Sequence, residues 1–251
     1  MPPLPVRAPF LLLSIRAEDE VADDEFSAIM RYGELDESGL RRIRLDREPL
    51  TGLDLDDWSG VILGGGPYNF SDPPAEKSAD QCRAEADLLA LLEQIVARDF
   101  PFLGCCYGIG ALGTFAGGTV DRTYGEPIGS VPVSLTAAGR VDPLLAGLPS
   151  AFDAFVGHKE AITRLPPDAI VLASSPTCPV QAFRVGRNVY ATQFHPELDV
   201  AGICTRIEVY KNHGYFAPSA ADSLKKSMRQ CKVVHPPTIL RRFVSRFGFR
   251  S

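Results

Sequence analysis

The chain is short of the residues that would tie it to several common protein classes. Of its 251 residues only six are cysteine, four are histidine and one is tryptophan. Cys82, Cys105, Cys106, Cys178, Cys204 and Cys231 are too sparse for a disulfide framework and include no CxxC pair, which excludes a disulfide-stapled fold and a CxxC zinc site and points to a reducing, cytoplasmic compartment. Long apolar runs are missing too. Phe10–Leu13 gives way to Ser14, Arg16 and Glu18-Asp19-Glu20, so it is too short for a secretory signal or a bilayer span, and no membrane association is expected. Neither GxxxxGK(S/T) nor GxGxxG occurs, which argues against a nucleotide-phosphate site. Positive charge is scarce until late: residues 1–200 carry 16 Lys and Arg against 29 Asp and Glu, whereas residues 201–251 carry 10 against 2. The late basic residues alternate with apolar ones as in amphipathic helices. The expectation is therefore a basic helical C-terminal extension, 201–251, packed on an acidic body; nucleic acid is not expected, since no recognition motif accompanies the charge.

What is present suits a packed α/β domain. Hydrophobic residues at 45% and charged residues at 23% exclude a disordered or fibrous chain. Short apolar runs alternate with helical patterns, the mark of parallel strands joined by crossover helices. Strands are expected at Phe10–Ile15, Arg41–Leu45, Gly60–Leu63, Phe102–Leu103, Ser130–Leu135, Ile170–Ala173, Val180–Val185 and Asn188–Phe194. The last two flank Gly186-Arg187 and read as a hairpin, which gives a mostly parallel central sheet an antiparallel extension. Glu85–Arg98 spaces Leu88, Leu89, Leu92, Ile95 and Val96 as one helical face. Glu76–Asp80 before it, and Arg164–Asp168, read as surface turns. No linker divides the chain, so residues 1–251 are read as a single three-layer domain with helices on both faces of the sheet.

The most informative stretch is Asp99-Phe-Pro-Phe-Leu-Gly-Cys-Cys-Tyr-Gly-Ile-Gly, a strand running into a glycine-bracketed cysteine and then into a helical segment. A nucleophile elbow needs this pattern, because residues two before and two after the nucleophile must be small where strand and helix approach. Gly104-x-Cys106-x-Gly108 supplies both glycines. Leu103 and Tyr107 would crowd the same turn around Cys105, so Cys106 is the nucleophile candidate and Cys105 belongs to the core. A helix N-terminus favours thiolate, and the Tyr107 N–H is placed to hold an oxyanion. This makes the thiol a nucleophile rather than a metal ligand, and no metal or cofactor is expected.

A thiol nucleophile calls for a base and for a group that orients the base. A strand ending in His195-Pro196-Glu197 offers both, with Pro196 stiffening the link. Gly64-Gly65-Gly66 directly after the third strand frees backbone N–H groups to face an anion, as a tight turn or as a second half of the oxyanion hole. His158 could line or cap the site from a Phe155–His158 loop. His213 and His235 have no motif around them and read as structural, and Trp58 reads as packed beneath a loop.

Gly65-Gly66-Pro67, Gly104-x-Cys106-x-Gly108 and His195-Pro196-Glu197, in this order, resemble the class I glutamine amidotransferases over roughly residues 10–200, and within them the proteins similar to the glutaminase domain of GMP synthase. Tyr124-Gly125, Glu126–Val133, Asp142-Pro-Leu-Leu, Phe155–His158 and Gln181–Arg184 fit the same pattern. The resemblance implies a flavodoxin-like fold and a Cys106-His195-Glu197 triad that forms a thioester with glutamine. It further implies an oxyanion held by the Gly66 and Tyr107 N–H groups, and Gly65, Tyr124, Gly125 and His158 near the substrate. Two departures stand out: Ile109-Gly110 replaces the usual His-Gln, and His158-Lys159-Glu160 replaces a His-Gly-Asp-like loop. No P-loop-like pyrophosphatase motif supplies a second catalytic activity. Ammonia is therefore expected to pass to a synthetase partner, unless the chain is a hydrolase of γ-glutamyl compounds or a silent regulatory module on the same scaffold.

Overall fold

The computed structural model describes residues 8–214 and 216–248. Residues 1–7, 215 and 249–251 of the single-domain expectation lie outside the described residues. Strands β1 (Phe10–Ser14), β2 (Leu40–Arg44), β3 (Gly60–Leu63) and β4 (Phe102–Cys105) pair in parallel in the order β2-β1-β3-β4. Strands β5 (Thr119–Asp121) and β8 (Ala161–Arg164) form a separate antiparallel ribbon, while β6 (Glu126–Leu135), β7 (Ala151–His158), β9 (Ile170–Ser174) and β10 (Ala182–Val185) make the antiparallel half of the main sheet. The two halves join at β11 (Val189–Thr192), which is parallel to β4 on one side and antiparallel to β10 on the other.

The pleat divides the core between two faces. Phe10 and Leu12 enter one cluster, shared with Ile29 of α1 (Asp19–Gly33), while Leu11 and Leu13 enter another, shared with Leu88, Leu92 and Ile95 of α2 (Ala79–Ala97) and Ile109 and Leu112 of α3 (Tyr107–Phe115). After the short α4 (Ala137–Val141), the chain ends in α5 (Val200–Val209), α6 (Ala221–Met228) and α7 (Pro237–Phe247). Helix α7 sends Ile239, Leu240, Phe243 and Val244 into the Phe10 cluster. Apolar contact rather than charge pairing holds it, for Arg241 comes only to 3.8 Å of Glu34 and both are more than half exposed.

The expected α/β fold is present, with its antiparallel extension larger than the one hairpin read from sequence. Phe155–His158 is not a loop: it completes β7, in register with β6. Helix α2 begins at Ala79, because Ser78 caps it by accepting from the Gln81 N–H at 3.1 Å, so Ala79 and Asp80 belong to its first turn and not to a preceding loop. Strand β11 ends at Thr192, three residues before His195. Among the described residues no helix is long and apolar enough to cross a membrane.

Candidate functional site

Cys106 sits between β4 and α3 with φ 54° and ψ −91°, a left-handed conformation that a residue with a Cβ adopts only under constraint. Its N–H donates to the Thr192 carbonyl at 2.8 Å, which pins the turn to β11. The two flanking glycines have different roles. A Cβ on Gly104 would lie 2.9 Å from the Gly108 backbone, so strand and helix touch there; one on Gly108 would meet nothing nearer than Leu63 at 3.5 Å. Cys105 is buried in the Phe10-side core, as the spacing implied.

Because β11 lies beside β4 with Thr192 opposite Cys105, the chain beyond Thr192 leaves the carboxyl edge of the sheet next to the elbow. His195 is 6% exposed and its N–H donates to the Phe155 carbonyl at 3.1 Å. Its Nδ1 is 2.8 Å from Glu197 Oε1. A Cβ placed on Gly65 would lie 2.6 Å from His195 Cε1 and 3.4 Å from Cys106 Cβ, so imidazole and cysteine both close on that glycine. Gly66 is pinned as tightly, its missing Cβ falling 2.2 Å from Ile15 Cγ1. The Tyr107 N–H, at the first position of α3, has no acceptor within its own helix.

The electrostatics differ from a preformed thiolate. Burial pushes the Cys106 thiol up to about 12, with Arg16 and Arg206 opposing and Glu197 adding to the rise. That is roughly 4 kcal/mol against the thiolate, several times the ~0.3–1 kcal/mol a helix N-terminus supplies, so the resting group is the thiol. Burial also lowers His195 below its ordinary value; Glu197 pulls it upward, while Arg206 and Arg16 push it further down. Burial pushes the Glu197 carboxyl up, but His195 and Arg206 outweigh it and hold it well below the usual range. The resting state is thus thiol, neutral imidazole and carboxylate.

Three site residues carried no sequence signal. Arg206 on α5 donates to Glu197 Oε1 at 2.9 Å, and its Nη1 lies 3.0 Å from His195 Nδ1. Arg16, just past β1, donates from Nε to Glu25 at 2.8 Å. Gln193, two residues before His195, lines a cavity with Cys106, Tyr107, Gly110 and Glu160, and its side-chain oxygen is buried without a partner. The place a side chain on Gly110 would fill is taken by Glu160, whose Oε1 lies 2.9 Å from that Cβ position. Glu160 accepts from the Phe70 and Ser71 N–H groups at 2.9 and 2.8 Å, which anchors the loop after Gly66, and burial raises its carboxyl against those bonds.

His158 lines the same cavity, but both its nitrogens are engaged, Nε2 with Glu126 and Nδ1 with the Glu160 carbonyl, each at 2.8 Å. Gly125 lines a separate groove beside Glu126 and His158, and Tyr124 lines neither cavity at Cys106. Glu126, His158 and Cys178 bring one ligand atom each within 4.8 Å of one another. Glu126 already accepts from Gln181 at 2.7 Å and Ser175 at 3.2 Å, so hydrogen bonds account for that cluster.

A family model described as glutamine amidotransferase class I matches residues 29–201. A glutamine-hydrolyzing GMP synthase component from Thermoplasma acidophilum, named as one subunit of that enzyme, is 31% identical over 157 residues, covering 62% of this chain and 68% of that protein. The glutamine-hydrolyzing GMP synthase of Edwardsiella ictaluri is 29% identical over 146 residues, and the chain spans 25% of its length. A glutamine amidotransferase structure from Thermotoga maritima superposes over 96% of this chain and 98% of its own with a TM-score of 0.76 at 22% identity, a likeness of fold.

Proposed function

Since the chain belongs to the class I glutamine amidotransferase family, we propose that it hydrolyses the side-chain amide of glutamine with Cys106 as nucleophile, His195 as base and Glu197 as its orienter. The observation that carries this reading is the His195 ring, bonded to Glu197 at 2.8 Å and packed with Cys106 against Gly65. Neutral His195 takes the thiol proton as Sγ attacks the amide carbon, so the thiolate exists only as it reacts. The N–H groups of Tyr107 and Gly66 receive the developing oxyanion. The proton then passes from His195 to the leaving nitrogen, ammonia departs, and a γ-glutamyl thioester remains. Water, deprotonated by His195, attacks that carbon, the C–S bond breaks, the sulfur regains its proton and glutamate leaves.

The donor's α-ammonium has two acceptors in the cavity beside Cys106, the unpartnered Gln193 oxygen and the Glu160 carboxylate. Glu160 fills the place opened by Gly110, so glutamine itself fits better than a bulkier γ-glutamyl compound. The ammonia goes to a separate synthetase, in keeping with the name of the Thermoplasma relative, which marks that protein as one part of a larger enzyme. Glutamate release from glutamine decides the reading. Wild-type protein should release it, and Cys106→Ala should lower the rate by at least about 10³-fold, to the level that binding and the oxyanion hole alone sustain. Undiminished release by Cys106→Ala would remove the thiol from the mechanism.

A further inference from the structure

Two cavities meet at Cys106, Gly66 and Gly157. The first holds Gln193 and Glu160. The second, of about 50 Å³, is bounded by Arg16, Arg206, His195 and Tyr210 on its polar side and by Val156 and Ile203 on its apolar side. Arg16 and Arg206 are each 4% exposed, and each keeps one guanidinium nitrogen without a partner, Nη2 of Arg16 and Nε of Arg206. A buried N–H of a charged group left unmet costs more than a neutral one left unmet. Arg16 pairs with Glu25 through Nε at 2.8 Å and Arg206 with Glu197 through Nη2 at 2.9 Å, so each guanidinium has a further donor left to offer an anion. Arg16 Nη2 lies 2.8 Å from the same Gly65 Cβ position that is 2.6 Å from His195 Cε1 and 3.4 Å from Cys106 Cβ. An anion on Arg16 is therefore a neighbour of the thioester carbon and of the base.

Water attacking a thioester needs no guanidinium. A nucleophile that carries a carboxylate does. Resting on the glutaminase reading above, we propose that the Arg16–Arg206 cavity is an acceptor subsite for a small α-amino acid, whose carboxylate binds Arg16 and whose amine attacks the γ-glutamyl thioester. The amine lone pair forms the new C–N bond, His195 takes the proton released from that nitrogen, the C–S bond breaks and His195 returns the proton to sulfur. The product is a γ-glutamyl amino acid in place of glutamate. Room for little more than a few waters limits the side chain to hydrogen or a short aliphatic group.

The test supplies wild-type protein with glutamine and either glycine or glycinamide at equal free-amine concentration, and measures γ-glutamyl product and glutamate by mass spectrometry. A charge-assisted hydrogen bond makes the glycine product exceed the glycinamide product by about tenfold or more. Arg16→Gln should lower the transfer-to-hydrolysis ratio for glycine by a similar factor; the ratio is internal to each sample, so partial loss of folded protein does not imitate the effect. Equal yields from the two amines, an unchanged ratio in Arg16→Gln, or glutamate as sole product beside brisk hydrolysis would each overturn the acceptor subsite and leave the glutaminase reading standing. Absence of both products would sink the two together.

Discussion

At the scale of single residues, chemistry at Cys106 is governed by burial more than by its place at a helix end. In the proposed mechanism, a sulfur that ionises only near pH 12 beside an imidazole held below its ordinary 6.5 works through proton transfer during attack, not through a stored thiolate. This fixes the sign of the pH dependence. As the proposed base His195 must be neutral, so glutamate release should rise as pH increases through a midpoint below 6.5 and then stay level through neutrality into mild alkali. Arg206 helps to depress that midpoint, so Arg206→Met should move it upward. A pH–rate profile checks both, and a midpoint above 7 in the wild type would contradict the charge assignment. Arg206 is invisible in the sequence because its partner Glu197 is nine residues away, across a turn and two turns of α5, and nothing in the intervening stretch marks the contact.

At the scale of elements, the elbow depends on one close approach. Gly104→Ala would drive a methyl into the backbone of α3, and should lower stability by about 1–3 kcal/mol and displace Cys106. Gly108→Ala meets only ordinary contact with Leu63 and should keep both stability and activity. Chemical unfolding alongside glutaminase assays of the two variants tests the distinction. The spacing of Gly104, Cys106 and Gly108 is enough to locate the elbow, because a strand-to-helix turn around a reactive side chain has few sequence solutions. It cannot rank the two glycines, since the rank depends on which backbone comes nearer. Strand β7 is hidden for a different reason: Ala151–His158 alternates buried and exposed residues only over its first half, and its second half is buried on both faces. Helix α1 is hidden because its charged first turns mask the buried Val21, Ala22 and Ile29. Glu160 reads in the sequence as a departure in a loop, and only the folded chain shows it standing where a Gly110 side chain would be.

At the scale of the whole molecule, the site lies at the carboxyl edge of the sheet while the C-terminal helix supports the sheet from one face. Phe243 is fully buried, with its ring 5.8 Å from that of Phe10 on the strand that leads toward Arg16. Phe243→Ala should cost about 3–5 kcal/mol in urea unfolding, with kcat per folded molecule preserved. A smaller loss would mean that α7 is weakly docked and that the basic extension adds little to the core. The central claim, that one cysteine of six is the nucleophile, is tested most directly on the intact protein with a diazoketone analogue of glutamine. The account predicts a single adduct per chain, on the peptide that carries Cys106, formed more slowly in His195→Asn. An unmodified Cys106, or an adduct formed as readily on Cys82, Cys204 or Cys231, would contradict it.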